Sequence, residues 1–563
     1  MVTDKFAVAR ALREIGRYLQ LQGENPFRAR AYDSGARAIE ELREELTVLV
    51  AEGRLTSVGG IGPALAAVIG ELVTTGRSEQ LERLRAEVPA GALELSEVPG
   101  LSLKKIQLLA QTLGIDSVAA LKRAGEDGRL RAVKGFGAKT VDKLLDGIAR
   151  WERRDAEVLL VDALEEAEPL AAHLARHPAC ARVEAVGALR RWCETVTSAE
   201  FLVVSDAPAA ILDHLAAYSS VVRTVSRGER QALVRLSSGL HVELHVVDQA
   251  GWAAALVRRS GSAAHLRRLE SVAADQATAL DAPAADEREV YGRLGLAFIA
   301  PELREDAGEI EAARDGSLPA DLITLGDIRG MTHCHTVYSD GKNSVEEMAR
   351  AAEAMGMQYL TITDHSPTAH YAGGVTLDRL RAQWDEIARV QELVKVRLLR
   401  GTESDILEDG ALDYPDAVLE QLDVVIASVH SRMKMDEAAM TRRLVNAMRQ
   451  PLFKVWGHAL GRLILRRDPF ACRVEEVLDA VAESRAAIEI NGDPYRLDLA
   501  PPWVRKARQR GIRFIISTDA HSTRNLHNLR FGVHTARRGW VRRGEVLNAL
   551  DADAFVRAVK PAG

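Results

Sequence analysis

Apolar residues follow two different rhythms along this chain. From Met331 onward they come in short runs rich in Val, Ile, Leu and Thr, and nearly every run ends on a histidine or a carboxylate. The runs start at Met331, Tyr359, Arg397, Val424, Phe453, Ala487 and Phe514, and finish at His335, His365, Glu403, His430, His458, Asn491 and His521. Most are separated by segments long enough for a helix, such as 344–356 and 378–394. That alternation predicts successive βα units around a mainly parallel sheet or barrel. The start of the chain reads as amphipathic helices instead. Phe6, Leu12, Ile15, Leu19 and Leu21 form an approximate helical stripe, which Asn25-Pro26 breaks.

In a βα barrel the chemistry gathers at the carboxyl ends of the strands. Those ends carry His333, His335, Asp364, His365, Glu403, His430, His458, Asp519 and His521, with Asp340 on the loop after the first pair. A lone histidine at a strand end is usually a hydrogen-bonded packing residue. Six of the fifteen histidines at the same end of successive strands are much harder to obtain from packing. His333 and His335, at i and i+2, share one face and can grip one ion. Mixed imidazole and carboxylate donors suit zinc, manganese or iron rather than calcium. His333, His335, Asp340, His365, Glu403, His430, His458, Asp519 and His521 are too many for one four-coordinate ion. They predict a multinuclear site of the kind that activates water and clamps the oxygens of a phosphate ester.

The motifs at these positions are HxH followed by YSDG, then ITDHS, GTE, ASVHS, WGH and STDAHS. Over about residues 328–560 they resemble the PHP (polymerase and histidinol phosphatase) family. The resemblance implies a distorted (β/α)7 barrel holding three metals. It implies that His333, His335, Glu403 and Asp519 hold the first ion and that Glu403 bridges to a second held by His430 and His458. Asp340, His365 and His521 would hold the third. Arg462, four residues after His458, is a candidate for meeting a substrate phosphate, and equally a plain surface arginine.

Composition bounds the rest. With 563 residues, 47% of them hydrophobic, the chain has material for several domains. Four scattered cysteines without a CxxC spacing argue against a disulfide framework and for a reducing cytoplasm. No charged-then-apolar leader and no membrane-length apolar run is present, so a soluble cytoplasmic protein, most simply a monomer, is expected. A net charge of −6 exerts no global pull on nucleic acid, so any DNA contact must come from local patches and backbone amides.

Such patches are repeated three times, at Val58-GGIGPALAAVI, Val98-PGLSLKKIQLL and Val133-KGFGAKTVDKLL. Each has an apolar residue, a glycine turn and a helix with apolar periodicity, and resembles the helix-hairpin-helix. The glycines (Gly60, Gly62, Gly100, Gly135, Gly137) let backbone approach a DNA phosphate, and the amides at the helix start donate to it. Lys104, Lys105, Lys134 and Lys139 add positive charge. Ser102 replaces the second glycine of the middle copy, a change expected to weaken that turn.

Hairpin modules, a middle region and a PHP region, in that order, resemble the bacterial family X DNA polymerases (PolX) over essentially the whole chain. Five regions follow: 1–80 and 81–154 helical with the hairpins, 155–240 a nucleotidyltransferase-like palm, 241–320 thumb and linker, and 328–563 the PHP domain. Some family members remove 5′-deoxyribose phosphate through a lysine Schiff base. The matching position here is Val68, with no lysine between Leu55 and Gly76, so no lyase chemistry is expected there. The family's palm needs three carboxylates to hold two magnesium ions. The matching positions here are Ser198, Glu200 and Glu243, a degenerate set in which magnesium binding is doubtful. Arg190 and Arg191 could bind phosphate or form surface ion pairs. The family's Tyr-Phe-Thr-Gly-Ser has become Arg258-Arg-Ser-Gly-Ser262.

Three further segments carry expectations. Residues 306–319 read as a solvated connection, 537–545 as a basic surface segment, and Asn491, Arg496 and Asp498 as loop residues lining the barrel mouth or capping turns. The resemblance as a whole implies a multidomain α+β and α/β protein acting on gapped, nicked or 3′-recessed DNA. The activity implied is a manganese-dependent 3′–5′ exonuclease. Alternatives are an active gap-filling polymerase with attached nuclease, or a small-molecule phosphatase of the histidinol-phosphate kind.

Overall fold

A computed structural model describes residues 5–24, 26–40, 46–89, 91–96, 98 and 100–561. Asn25 and Pro99 lie outside the described residues, as does the side chain of Phe6. The chain divides into two units, Met1–Glu157 and Val158–Gly563. Among the described residues no helix is long and apolar enough to cross a membrane, and the four cysteines are free thiols.

The first unit is helical throughout. Leu12, Ile15 and Leu19 line the buried face of the helix Lys5–Leu21, and pack with Ile61, Leu65, Ile69 and Leu72 of the first hairpin. The second and third hairpins share a separate core containing Val98, Ile106, Leu109, Val133, Phe136 and Val141. All three repeats build the same turn. The amides of Ile61, Leu101 and Phe136 donate to the carbonyls of Val58, Val98 and Val133, at 3.1, 3.3 and 3.0 Å. Those three turn residues are buried anchors, and the glycine before each (Gly60, Gly100, Gly135) has φ near +90°, a conformation other residues rarely adopt. Ser102 has φ −94° and ψ 161°. That is extended backbone open to any residue, so serine does not weaken the middle turn.

The second unit opens on a mixed five-stranded sheet. Its strands are β1 (Arg182–Val186), β2 (Ser198–Val204), β3 (Val221–Arg227), β4 (Gln231–Leu236) and β5 (His241–Val247), in the order β1-β2-β5-β4-β3. β5 lies in the middle of this sheet, parallel to β2, so the sheet of the region expected as a palm continues past residue 240. Helices Trp252–Ser260, Ala263–Asp275, Glu287–Arg293 and Glu309–Asp315 follow, in the region expected as a thumb. The stretch 306–319 is not a solvated connection. Ile310, Ala312 and Ala313 are in the thumb core, and the buried Glu309 carboxylate lies 2.5 Å from His265 Nδ1.

Seven parallel strands make the last part: β6 (Gly330–Met331), β7 (Tyr359–Ile362), β8 (Arg397–Asp405), β9 (Val424–Ser428), β10 (Lys454–Trp456), β11 (Ala486–Asn491) and β12 (Phe514–Ser517). They pair in sequence order, and a parallel bridge between Cys334 and Ala520 brings the two edges together into a nearly closed barrel. Alternation along each strand sorts the residues. Leu360, Ile362, Val425, Ile488, Ile490 and Ile516 face outward under the helices. Tyr359, Leu399, Ile426, Val455, Ala487 and Ile515 fill the lower interior, which Phe555 and Val559 of the terminal helix Ala552–Val559 close from below. The interior is narrow. A Cβ on Gly457 would lie 2.4 Å from Ser428 Oγ, and one on Gly401 would lie 2.8 Å from Thr361 Cγ2. The upper interior is therefore polar, and it is the site.

Palm, thumb and barrel share cores. Leu497 and Phe531 of the barrel pack into the palm, and Trp540 packs into the thumb. The segment 537–545 is accordingly not a free basic surface at its start, where Arg537 pairs with Glu302 at 2.6 Å and Arg538 with Glu305 at 3.4 Å. Glu302 is buried, and despite that burial the His534 and Arg537 hydrogen bonds hold its carboxyl down to about 2. Its folded value lies below the unfolded one of about 4.3. Its contribution is thus present above pH ~4.3 and is lost as pH falls toward 2. Glu302→Gln leaves Arg537 without its carboxylate and is expected to destabilise the second unit by about 3 kcal/mol in urea melts at pH 7. The difference from wild type should shrink as the melts are repeated toward pH 3.

Candidate metal centre

All nine candidate donors come together at the upper rim of the barrel. The Thr332–His335 segment leaves β6 extended, so His333 and His335 point to the same side, inward. Glu403 follows from β8 and sits at the centre. Its Oε1 lies 2.8 Å from His458 Nε2 and 3.2 Å from His430 Nε2. Its Oε2 lies 3.0 Å from His365 Nδ1, 3.4 Å from His333 Nε2 and 3.6 Å from His335 Nε2. Asp519 Oδ1 stands 3.3 Å from His335 Nε2 and 3.6 Å from His333 Nε2. Asp340 Oδ1 stands 3.3 Å from His521 Nε2 and 3.7 Å from His365 Nε2. His458 and Asp519 both have left-handed backbone, φ 24° and 51°, which folds the chain over the strand ends. Non-glycine residues in that region are strained and collect at functional sites.

Three groups of donors lie close enough to share an ion: His333, His335 and Asp519; His365, Glu403 and His430; and His335, Asp340, His365 and His521. His458 adjoins the second group through Glu403 and His430. The donors fit cations better than they fit each other. His333 Nε2, both ring nitrogens of His335, His365 Nδ1 and Glu403 Oε2 are buried with no hydrogen-bond partner among the described residues. The 3.0 Å approach of His365 Nδ1 to Glu403 lacks hydrogen-bond alignment. His430 and His458 present Nε2 to Nε2 at 3.2 Å, a spacing natural for two ligands of one ion. Burial, together with His521 and His365, pushes the His335 imidazole down to about 3, so it is neutral and ready to ligate. Against the same effect of burial, Glu403 and Asp405 hold His430 up to about 10, and Asp340 and Asp519 hold His521 up to about 9. In ion-free protein those protons answer the buried carboxylates.

A second layer aims the ligands. Glu489 on β11, absent from the candidates read in the sequence, accepts from His333 Nδ1, Ser517 Oγ and the His458 amide, each at 2.6 Å. This turns His333 Nε2 toward the cluster. Asp405 does the same for His430 Nδ1. The only sequence signal for either was alternation, since Glu489 stands at an inward position of β11 and Asp405 at the rim end of β8. Asp364 is not among the grouped donors. It accepts from Thr336, Ser339 and Gln383 and so clamps the loop that carries Asp340. Asp498 is buried and accepts the Leu460 and Arg462 amides, and Asn491 donates to Glu489 and Asp519.

Arg462 is turned toward the palm: it pairs with Glu194 at 2.7 Å and donates to the Leu497 carbonyl. Arg496 lies beside the donors, with Nε 3.6 Å from both Asp519 Oδ2 and Asp493 Oδ2 and no hydrogen-bond partner for that atom among the described residues. In the palm, Glu200 and Glu243 stand opposite each other on β2 and β5, and Ser198 stands opposite His241. Arg190 is mostly buried between Glu184 (2.9 Å) and Glu287 (2.7 Å), and Arg191 pairs with Glu305 at 2.9 Å. Both arginines are internal braces between palm and thumb rather than surface pairs. Arg258 is engaged by Asp281 and Glu270. In the first unit, Gly62, Ser102 and Gly137 precede their helices without a side-chain cap, and the first of those helices begins on Pro63, which has no amide hydrogen. Lys104, Lys134 and Lys139 are exposed, and Lys105 Nζ donates to Gly100 O at 2.9 Å.

A nearly closed parallel barrel with imidazoles and carboxylates gathered at its strand ends defines a metal-dependent phosphoesterase of the PHP class, and residues 332–493 match the PHP domain family. Residues 4–78 match a helix-hairpin-helix domain and residues 92–150 a SAM-like helix-hairpin-helix tandem. The chain is 33% identical to the DNA polymerase/3′-5′ exonuclease PolX of Bacillus subtilis, over 98% of its own length and 99% of that protein's. It therefore belongs to the PolX family. The chain is also 32% identical over 202 residues to a probable phosphatase of Caldanaerobacter subterraneus and 30% identical over 207 residues to one of Thermoanaerobacter sp.. Each of those matches covers 34% of this chain, and 75% and 78% of the respective relatives.

Glu489→Gln keeps the volume but removes the charge that orients His333. Manganese affinity is expected to fall about 10- to 100-fold, measured by titration calorimetry on chelator-treated protein. An unchanged affinity would show that His333 is not aimed by this carboxylate.

Proposed function

We propose that this protein hydrolyses phosphodiester bonds at the 3′ ends of DNA, acting as a 3′–5′ exonuclease through the barrel. The observation that carries the proposal is the group of nine donors centred on Glu403, with buried nitrogens that have no hydrogen-bond partner among the described residues. His333, His335, Glu403 and Asp519 would hold one divalent ion, Glu403, His430 and His458 a second, and Asp340, His365 and His521 a third, manganese or zinc by donor type. When bound, such ions activate water and neutralise charge on the phosphoryl oxygens. The chain's own residues do the remaining work. Arg496, held between Asp493 and Asp519 with Nε 3.6 Å from each carboxylate, would turn its guanidinium to a phosphate beside Asp519. Tyr371, 69% exposed and 6.0 Å from both His365 and His430, stands at the mouth where a terminal base could stack. The three uncapped hairpin helices would hold the duplex by its backbone, independently of sequence. Gapped, nicked or 3′-recessed ends fit such a grip, and a single chain carries all the parts.

The palm serves on this reading as structure. Its two arginines are occupied by carboxylates, and Ser198 has no charge to give a metal. The similarity to proteins called probable phosphatases favours one second substrate, a 3′-phosphate on DNA, at the same site.

A 5′-labelled recessed primer–template with manganese is expected to shorten from its 3′ end, and His335→Ala is expected to abolish this. Tyr371→Ala should raise KM for DNA about tenfold with little change in kcat, the loss of one stacked base. Lengthening of the primer on addition of deoxynucleotides would overturn the structural reading of the palm. Intact primer in every lane would overturn the nuclease reading.

A further inference from the structure

The palm holds a second group of donors, separate from the barrel. Residues Glu200, Glu243 and His245 each present one ligand atom, all within 4.8 Å of one another. Glu200 and Glu243 are directly paired across β2 and β5, and His245 follows Glu243 at i+2 on the same face. The register of the parallel pair therefore sets all three side chains in one patch under the helix Trp252–Ser260. The Glu200 carboxylate is held close to the backbone of Gly187, where an added Cβ would lie 2.3 Å from Oε1. His245 is only 5% exposed. Its Nε2 stands 2.8 Å from Glu243 Oε1 without hydrogen-bond alignment, and has no hydrogen-bond partner among the described residues. A buried imidazole nitrogen aimed at two carboxylates is a donor set waiting for a cation.

These positions do not fit the paired magnesium ions of a nucleotidyltransferase palm. Ser198 is neutral, and magnesium demands near-octahedral oxygen ligands with little tolerance for displaced carboxylates. One imidazole and two carboxylates suit a borderline ion instead. We propose that Glu200, Glu243 and His245 form a single-ion site for zinc or manganese, distinct from the barrel cluster. The charge around it allows this. Two guanidinium groups act on the pair: Arg259, 3.9 Å from Glu243, and Arg191, which Glu305 already engages at 2.9 Å, so the carboxylates keep negative charge for an ion. An entry path exists, because His245 also lines a cavity of about 580 Å³ bordered by Arg230, Arg258 and Arg259. An ion there would tie β2 to β5.

The test counts ions in the full-length protein. Chelator-treated wild type, His245→Ala and Glu243→Gln are dialysed against buffered zinc, and zinc per chain is measured by elemental analysis, with circular dichroism to check folding. Wild type is expected to hold one zinc more per chain than either variant, and to gain no corresponding ion when magnesium replaces zinc. Equal zinc counts in the three proteins overturn the site, and an equal gain from magnesium overturns its assigned preference. If the variants fail to fold, anomalous diffraction at the zinc edge from wild-type crystals decides: a peak bonded to all three side chains supports the site, and none overturns it.

Discussion

Buried negative charge at the top of the barrel is the constraint on which the second unit depends. Glu403, Glu489 and Asp519 are carried into a space with almost no solvent. A buried carboxylate must be answered by positive charge or lose its ionisation. Six imidazoles, supplied by strands spread over nearly two hundred residues, meet that demand, and five of them surround Glu403 directly. Without ions the balance is kept by protons on His333, His430 and His521, which the carboxylates hold well above or up to their raised values. Cations bound there would replace those protons, so occupancy and pH would be linked. The narrow interior follows from the same demand: Gly401 and Gly457 leave room for the strands to approach until donors from six of the seven strands reach one another.

The rest of the second unit uses the same pairing at lower density. Arg190 and Arg191 join palm to thumb through Glu287 and Glu305, and Arg537 and Arg538 join the barrel to the thumb through Glu302 and Glu305. Arg462 joins the barrel to the palm through Glu194. Trp192 stacks on His534 with ring centroids 3.8 Å apart. These contacts make the palm a support for the barrel, whatever else it does. The hairpin unit is built differently, from repeated turns with one apolar anchor each and helix starts left uncapped.

The barrel was legible because its signal is local and redundant. Each strand is a short apolar run, and all but the one ending at Asn491 announce their end with a histidine or carboxylate, so six independent segments point to one rim. The hairpins were legible for the same reason, as three copies of one turn. Partnerships between distant residues were not. Nothing near Arg537 or Arg538 in sequence reveals Glu302 or Glu305 more than two hundred residues away, so a buried brace read as a basic surface. Residues 306–319 looked solvated because Glu309 is acidic, and only the fold supplies its partner His265. Glu489 carries no motif; its position in the strand alternation was the one available sign. Ser102 shows the converse error, since a residue's identity differed from the repeat while its φ never required glycine.

The central claim is that Glu403 lies between ions in a multinuclear centre. Anomalous diffraction at the manganese edge, from crystals of the full-length protein grown with manganese, tests it most directly. The account predicts more than one peak at the barrel rim, two of them bonded to opposite oxygens of Glu403. A single peak, or peaks that leave Glu403 without a bond to metal, would contradict it.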